Sequence, residues 1–213
     1  MQYAEILDLR KQARITNCWL KRRLETILPE VMDREGFDMW IVTAREYNEG
    51  PVVMHLLPQP SMAARRRTIL VFYRRPGATG LAEAVEKLTL STYSPGGLYE
   101  AAWNKDEGGQ WDSLRRVVEE RDPRCIGINV SETFAFGDGL SHSEYLQLMK
   151  ALDTKYAGRT RGAERLAVGY LERRLPEEIH AYSGIVAICH RMVAEGFSGK
   201  VVHPGVTTAA DVA

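Results

Sequence analysis

The sequence predicts an α/β fold in which a mixed β-sheet is sandwiched between helices. Three observations point there: a long opening segment with helical apolar spacing, several short apolar runs too brief for helices, and Gly, Pro and Asp punctuation separating runs from helical stretches. With 213 residues and 45% apolar content, the chain can bury a substantial core without disulfide or metal staples.

Over residues 6–35 the apolar positions Ile6, Leu9, Ala13, Trp19, Leu20, Leu24, Ile27, Leu28 and Val31 recur at three and four, with charges between them. This is one long amphipathic helix, bent near Pro29 and stopped by Gly36. Residues 37–42 form a buried strand, followed by a loop or helix start. Residues 68–73, Thr-Ile-Leu-Val-Phe-Tyr between two arginine clusters, form a central strand with solvated ends, and 86–93 another, closed by the turn at Ser94-Pro95-Gly96-Gly97. A helix over 111–120, a strand over 125–130 and a helix over 141–152 complete the alternation. The polar stretch 153–161 reads as a boundary, giving domains over 1–156 and 157–213.

Two helices follow the boundary. The second opens with Pro176 in the first turn and Glu177 and Glu178 where the helix dipole favours anions. Its apolar face runs through Ile179, Tyr182, Ile185 or Val186, Cys189, Met192, Val193 and Phe197. After a turn at 201–206, Thr207-Thr208-Ala209-Ala210-Asp211 reads as a capped helix start that Ala213 interrupts.

Basic and acidic residues balance at 28 each, which excludes a whole-molecule field steering the chain to nucleic acid or an anionic membrane. No apolar run approaches the roughly 20 residues that span a bilayer. Cys18, Cys125 and Cys189 are odd in number and set among apolar residues, as expected of buried free thiols in the cytoplasm. No HExxH or paired CxxC, G-x-S-x-G, P-loop or dinucleotide fingerprint occurs. His180 and His190 lie about 15 Å apart along one helix, so they cannot share a metal. The Arg65-Arg66-Arg67 run reads as a solvated flank of the strand that follows, in preference to a grip for phosphate or an acidic partner. Asn129-Val130-Ser131 is read as a chance sequon. Trp103 and Trp111 flank a polar loop; Trp103 is a candidate interface residue, and Trp111 fits the core equally well. His203, before Pro204-Gly205, is a weaker substrate-facing candidate.

The segment from Pro176-Glu177-Glu178-Ile179 to Pro204-Gly205-Val206-Thr207-Thr208 and Asp211-Val212 resembles the entry to the catalytic domain of Xaa-Pro aminopeptidases, prolidases and creatinases. There a K-x-x-x-E-I helix is followed by P-G-V-T-E-x-D-V. Upstream, GFDMWIVTAREYN and RRRTILVFYRR resemble that family's amino-terminal domain, with Asn48 at its loop asparagine, although the family's Y-L-T-G after it is absent.

The resemblance implies a ribonuclease H-like creatinase/prolidase amino-terminal domain, followed by the first helices of a truncated pita-bread α+β domain. It implies a non-catalytic portion that shapes the substrate cleft and oligomer contacts of a metallopeptidase cleaving before proline. It further implies a peptide substrate with proline second, a homodimer or homotetramer, and two divalent metals of the manganese type. All five metal ligands would lie beyond Ala213, so no catalytic residue and no bound cofactor is assigned to this chain. The alternatives are a partner-binding module that has lost the ligands, or a creatinase-like amidinohydrolase.

Overall fold

The computed structural model describes residues 6–61, 63–78, 80 and 82–212. These fall into two compact units, Leu9–Arg173, and the segment from Arg174 onward together with the residues before Leu9.

The first unit opens with α1 (Leu9–Glu25) and α2 (Ile27–Glu35), two helices where the spacing predicts one. Pro29 explains the break. Its ring has no N–H for the Glu25 carbonyl and would clash with it, so the chain leaves the helix at Thr26 and the proline falls in the first turn of α2. Gly36 ends α2 in the left-handed conformation (φ 69°), as its sequence position predicts.

There follow β1 (Met39–Arg45), the single turn α3 (Pro51–Met54), β2 (Arg67–Arg74), β3 (Val85–Thr89) and β4 (Glu100–Ala101). The unit continues with α4 (Gln110–Arg121), β5 (Ile126–Ile128), α5 (His142–Ala157), β6 (Thr160–Gly162) and α6 (Glu164–Glu172). The six strands form one mixed sheet in the order β4-β3-β2-β1-β5-β6. β2 is antiparallel to both β1 and β3; β1 with β5, β5 with β6 and β3 with β4 are parallel.

β1 lies near the middle and is buried over every residue but Arg45. Its alternate side chains serve opposite layers. Met39 and Ile41 join Ile69, Val71, Ile126 and Ile128 in a core closed by Leu114 and Val118 of α4 and Leu148 and Leu152 of α5. Trp40 faces the other way, with ring centroids 5.5 Å from Phe72 and 6.3 Å from Tyr170 of α6. The Trp40 Nε1 donates to Asn129 Oδ1 at 2.8 Å, so the largest core side chain buries its polar edge satisfied. Asn129 is itself buried, which removes it from the surface a glycosylation acceptor needs.

The polar stretch 153–161 is part of this unit. Asp153 (φ 53°) interrupts α5 just after Leu152, the end expected from the sequence, but the chain then adds β6 beside β5 and lays α6 on α2. Arg161 Nη2 donates to the Glu35 and Gly36 carbonyls at the end of α2, at 2.6 and 3.0 Å, and its guanidinium lies 4.2 Å from the Phe37 ring centroid. Gly169 lets α6 approach α2: a Cβ there would stand 3.1 Å from Val31 Cγ1. The units therefore divide at Arg173, downstream of the change in composition.

Asp122, in the left-handed C-cap of α4, holds three groups from the end of α5 and the turn beyond it. Lys155 Nζ lies at 2.9 Å, Arg159 Nη1 at 2.8 Å and Tyr156 OH at 3.1 Å. Hydrogen bonds from Lys155, then Arg159 and Tyr156, hold its carboxyl down to about 2, from an ordinary 3.8.

In the second unit, α7 (Pro176–Gly196) begins as the sequence predicts, and Glu178 Oε2 accepts from the Leu175 N–H at 2.7 Å. No residue of α7 is buried, and Ile179, Tyr182, Ile185, Met192, Val193 and Phe197 stand exposed. Before α8 (Ala209–Val212), Thr208 donates N–H and Oγ1 to Asp211 Oδ2 at 2.8 and 2.7 Å, the expected cap. The three cysteines are free, but Cys18 and Cys189 are exposed and Cys125 half-buried, against the expectation of burial. Cys18 lies on a helix whose buried residues are Leu20, Arg23 and Leu24, and Cys189 on a helix that buries none. Among the described residues no helix is long and apolar enough to cross a membrane.

A depressed carboxyl pKa stabilises the fold above the unfolded-state value and loses that contribution as pH falls through the folded value. Acid unfolding of the wild type should therefore include an Asp122 contribution present above about pH 4 and lost toward pH 2. Asp122→Asn, which tolerates the left-handed backbone, should flatten stability against pH in that window; an unchanged slope in urea titrations between pH 2 and 5 would contradict this.

Candidate functional site

At one end of the sheet, where β1, β3 and β4 leave and β2 begins, the chain encloses a cleft of about 470 Å³. Its wall carries Arg45 from the end of β1, Arg65, Arg66 and Arg67 leading into β2, and Lys105 after β4. Ser61, Thr68, Thr89, Ser91 and Thr92, with Tyr93, Pro95 and Trp103, also line it. No Asp, Glu, His or Cys is found among its described lining residues.

Two loops build the rim. After β1 the backbone folds tightly, with Asn48 N–H donating to Arg45 O at 2.9 Å and Tyr47 left-handed (φ 68°). Opposite, Arg66 is left-handed as well (φ 52°), and its carbonyl accepts from the Glu46 N–H at 3.0 Å. Glu49 Oε1 accepts from Ala64 N–H at 2.8 Å, a second tie between the same loops. Each left-handed non-glycine residue costs about 1–2 kcal/mol, so the ties hold two strained positions at one rim.

Behind the wall lies Glu144, whose side chain is only 2% exposed. It stands in the first turn of α5, after the N-cap Ser141, where the helix dipole favours an anion. Arg67 meets it with two bonds, Nε to Oε2 at 2.8 Å and Nη2 to Oε1 at 3.0 Å, and Arg45 Nε stands 3.8 Å from Oε1. The Arg67 guanidinium also lies 4.8 Å from the Trp111 ring centroid, which gives Trp111 its half-buried place against the core. Gln110 at the start of α4 donates to the Arg67 and Leu90 carbonyls, joining β2 to the end of β3. Glu144 offsets one of the five cations in the wall. Arg65 and Arg66 are exposed.

Of the three sequence candidates, Trp103 lines this cleft, its Nε1 donating to Gly108 O at 2.9 Å and Lys105 Nζ 5.6 Å from its ring centroid. Asn48 closes the neighbouring rim turn through its backbone and is not a lining residue. His203 belongs to the second unit, where its N–H donates to Thr207 Oγ1 at 2.8 Å within the Pro204-Gly205 turn. Within the first unit, Trp103 thus lies at the cleft and Asn48 at its rim. The arginine run, read as a solvated flank, supplies three lining residues, and nothing in the local sequence marks Glu144 as the partner of Arg67 across 77 residues.

No family model matches the chain, and no curated protein matches it. Among solved structures it is similar to an Xaa-Pro dipeptidase from Bacillus anthracis, with a TM-score of 0.54 and 13% identity over 90% of this chain and 46% of that one. The two share a fold. The chain spans about half the length of that dipeptidase. Among the described residues no group of three or more His, Cys, Asp or Glu side chains is placed to hold a metal ion.

Breaking a buried ion pair from one side strands a charge. Glu144→Ala should lower the free energy of unfolding by about 2–4 kcal/mol. Adding Arg67→Met should recover much of that loss, as read from urea midpoints; a double variant no more stable than Glu144→Ala would show that Arg67 does not depend on this carboxylate.

Proposed function

We propose that this chain is the amino-terminal, non-catalytic portion of a proline-directed metallopeptidase of the Xaa-Pro aminopeptidase, prolidase and creatinase kind. The observation that carries the reading is the shared fold with an Xaa-Pro dipeptidase along 90% of the chain, joined to the P-E-E-I and P-G-V-T-T segments. A second observation agrees with it. The apolar stripe of α7 is exposed from Ile179 to Phe197, the last 80% exposed, and an uncovered stripe of that length calls for a packing partner. In the whole enzyme the residues from Arg174 onward would open the catalytic domain, whose remaining elements would cover that stripe.

The role of this portion is to shape the substrate cleft and to make contacts in a homodimer or homotetramer, in the cytoplasm. The whole protein would take peptides with proline second. A pair of divalent ions, manganese in this reading, would supply a bound hydroxide and stabilise the oxyanion. The described residues do not provide a ligand set for such a pair, so no step of hydrolysis is assigned to them.

The test compares two proteins on one Xaa-Pro peptide with added manganese. The chain alone should give no chelator-sensitive turnover, and the full-length product of its gene should give turnover that a chelator abolishes. Chelator-sensitive cleavage by the chain alone, or none by the full-length product, would overturn the reading.

A further inference from the structure

The cation-lined cleft is used by nothing in the peptidase reading, and its chemistry is specific. Five basic side chains from three stretches of chain converge on about 470 Å³, and the carboxylate of Glu144, which meets Arg67 and at longer range Arg45, lies buried behind the wall. Like charges held this close repel, and a fold keeps them together at a cost unless an anion offsets it. The strained backbone at Arg66 and Tyr47 sits on the same rim, where such outliers accompany ligand clamps.

We propose that this cleft binds a small phosphorylated molecule, with the phosphoryl oxygens among Arg45, Arg65, Arg66 and Lys105 and the organic part against Tyr93, Pro95 and Trp103. The geometry selects phosphoryl groups over a carboxylate. A tetrahedral anion presents acceptors on several sides and meets donors arriving from β1, from the approach to β2 and from the loop after β4, whereas a planar carboxylate presents its acceptors along one edge. The hydroxyls of Ser61 and Thr92 add neutral donors on the same wall. The volume exceeds what one phosphate fills and lies within the range of small-molecule sites. Arg67 acts from behind: locked on Glu144 and stacked on Trp111, it fixes the start of β2, which places Arg65 and Arg66.

The test is isothermal titration of the chain with inorganic pyrophosphate, and with citrate as a polycarboxylate of comparable charge. Pyrophosphate should bind saturably with 1:1 stoichiometry, and more weakly as sodium chloride is raised from 20 to about 200 mM, as screening requires. Arg65→Ala and Lys105→Ala, both exposed and outside the core, should each weaken binding by about tenfold, the loss of one charge-assisted contact, without lowering the melting temperature of the free protein. Lys150→Ala, a surface charge on α5, should leave binding unchanged. Absence of saturable pyrophosphate binding, equal loss in Lys150→Ala, or citrate binding as tightly as pyrophosphate would overturn the proposal.

Discussion

The constraint on which this structure rests is that β1 is buried on both faces. A strand so placed can present no charged side chain to either layer, and Met39 to Ala44 contain none. Its backbone groups must also find partners in its neighbours: β2 pairs with it antiparallel from Met39 to Arg45, and β5 pairs parallel on the other side from Met39 to Ile41. The two helical layers follow: α4 and α5 cover Met39 and Ile41, while Trp40 reaches across to Tyr170. The Trp40 to Asn129 bond ties that layer to the end of β5.

Ending the sheet together at one side also creates the cleft. Where strands stop, their side chains no longer need to be apolar, and Arg45, Arg67 and the hydroxyls beyond Thr89 gather there. Glu144 makes the gathering tolerable from behind, with α5 delivering a carboxylate by its first turn. Strand ends thus supply cations, a helix start supplies the counter-charge, and the remaining positive charge faces the opening. This division of labour separates a scaffold role for Arg67 from a ligand-facing role for Arg65 and Lys105.

Much of this was legible in sequence because it is local. Apolar runs located β1, β2 and β5, Gly36 and Pro176 marked their helix ends, and Thr208 and Asp211 marked the last cap. What escaped depends on partners remote in the chain. Lys155, Arg159 and Arg161 looked like linker charges because their acceptors, Asp122 and the end of α2, are not neighbours in sequence. The arginine run looked like a solvated flank because Glu144 lies far downstream. Asn129 reads only as a chance sequon because its acceptor role for Trp40 exists only once the layers have closed. Cys18 and Cys189 are expected inside because apolar residues surround them in sequence, and the faces they occupy are not packed.

The similarity to a longer dipeptidase gives this domain a context, while the doubly buried strand gives it a reason to hold together. Native-state hydrogen exchange on the intact chain tests that strand's role most directly. The amides of Trp40, Ile41 and Val42 should be among the slowest and should exchange only through global unfolding, their protection matching the stability from urea titration. Protection at those three positions no greater than along α7 would contradict the account, because β1 would then open without the rest of the sheet.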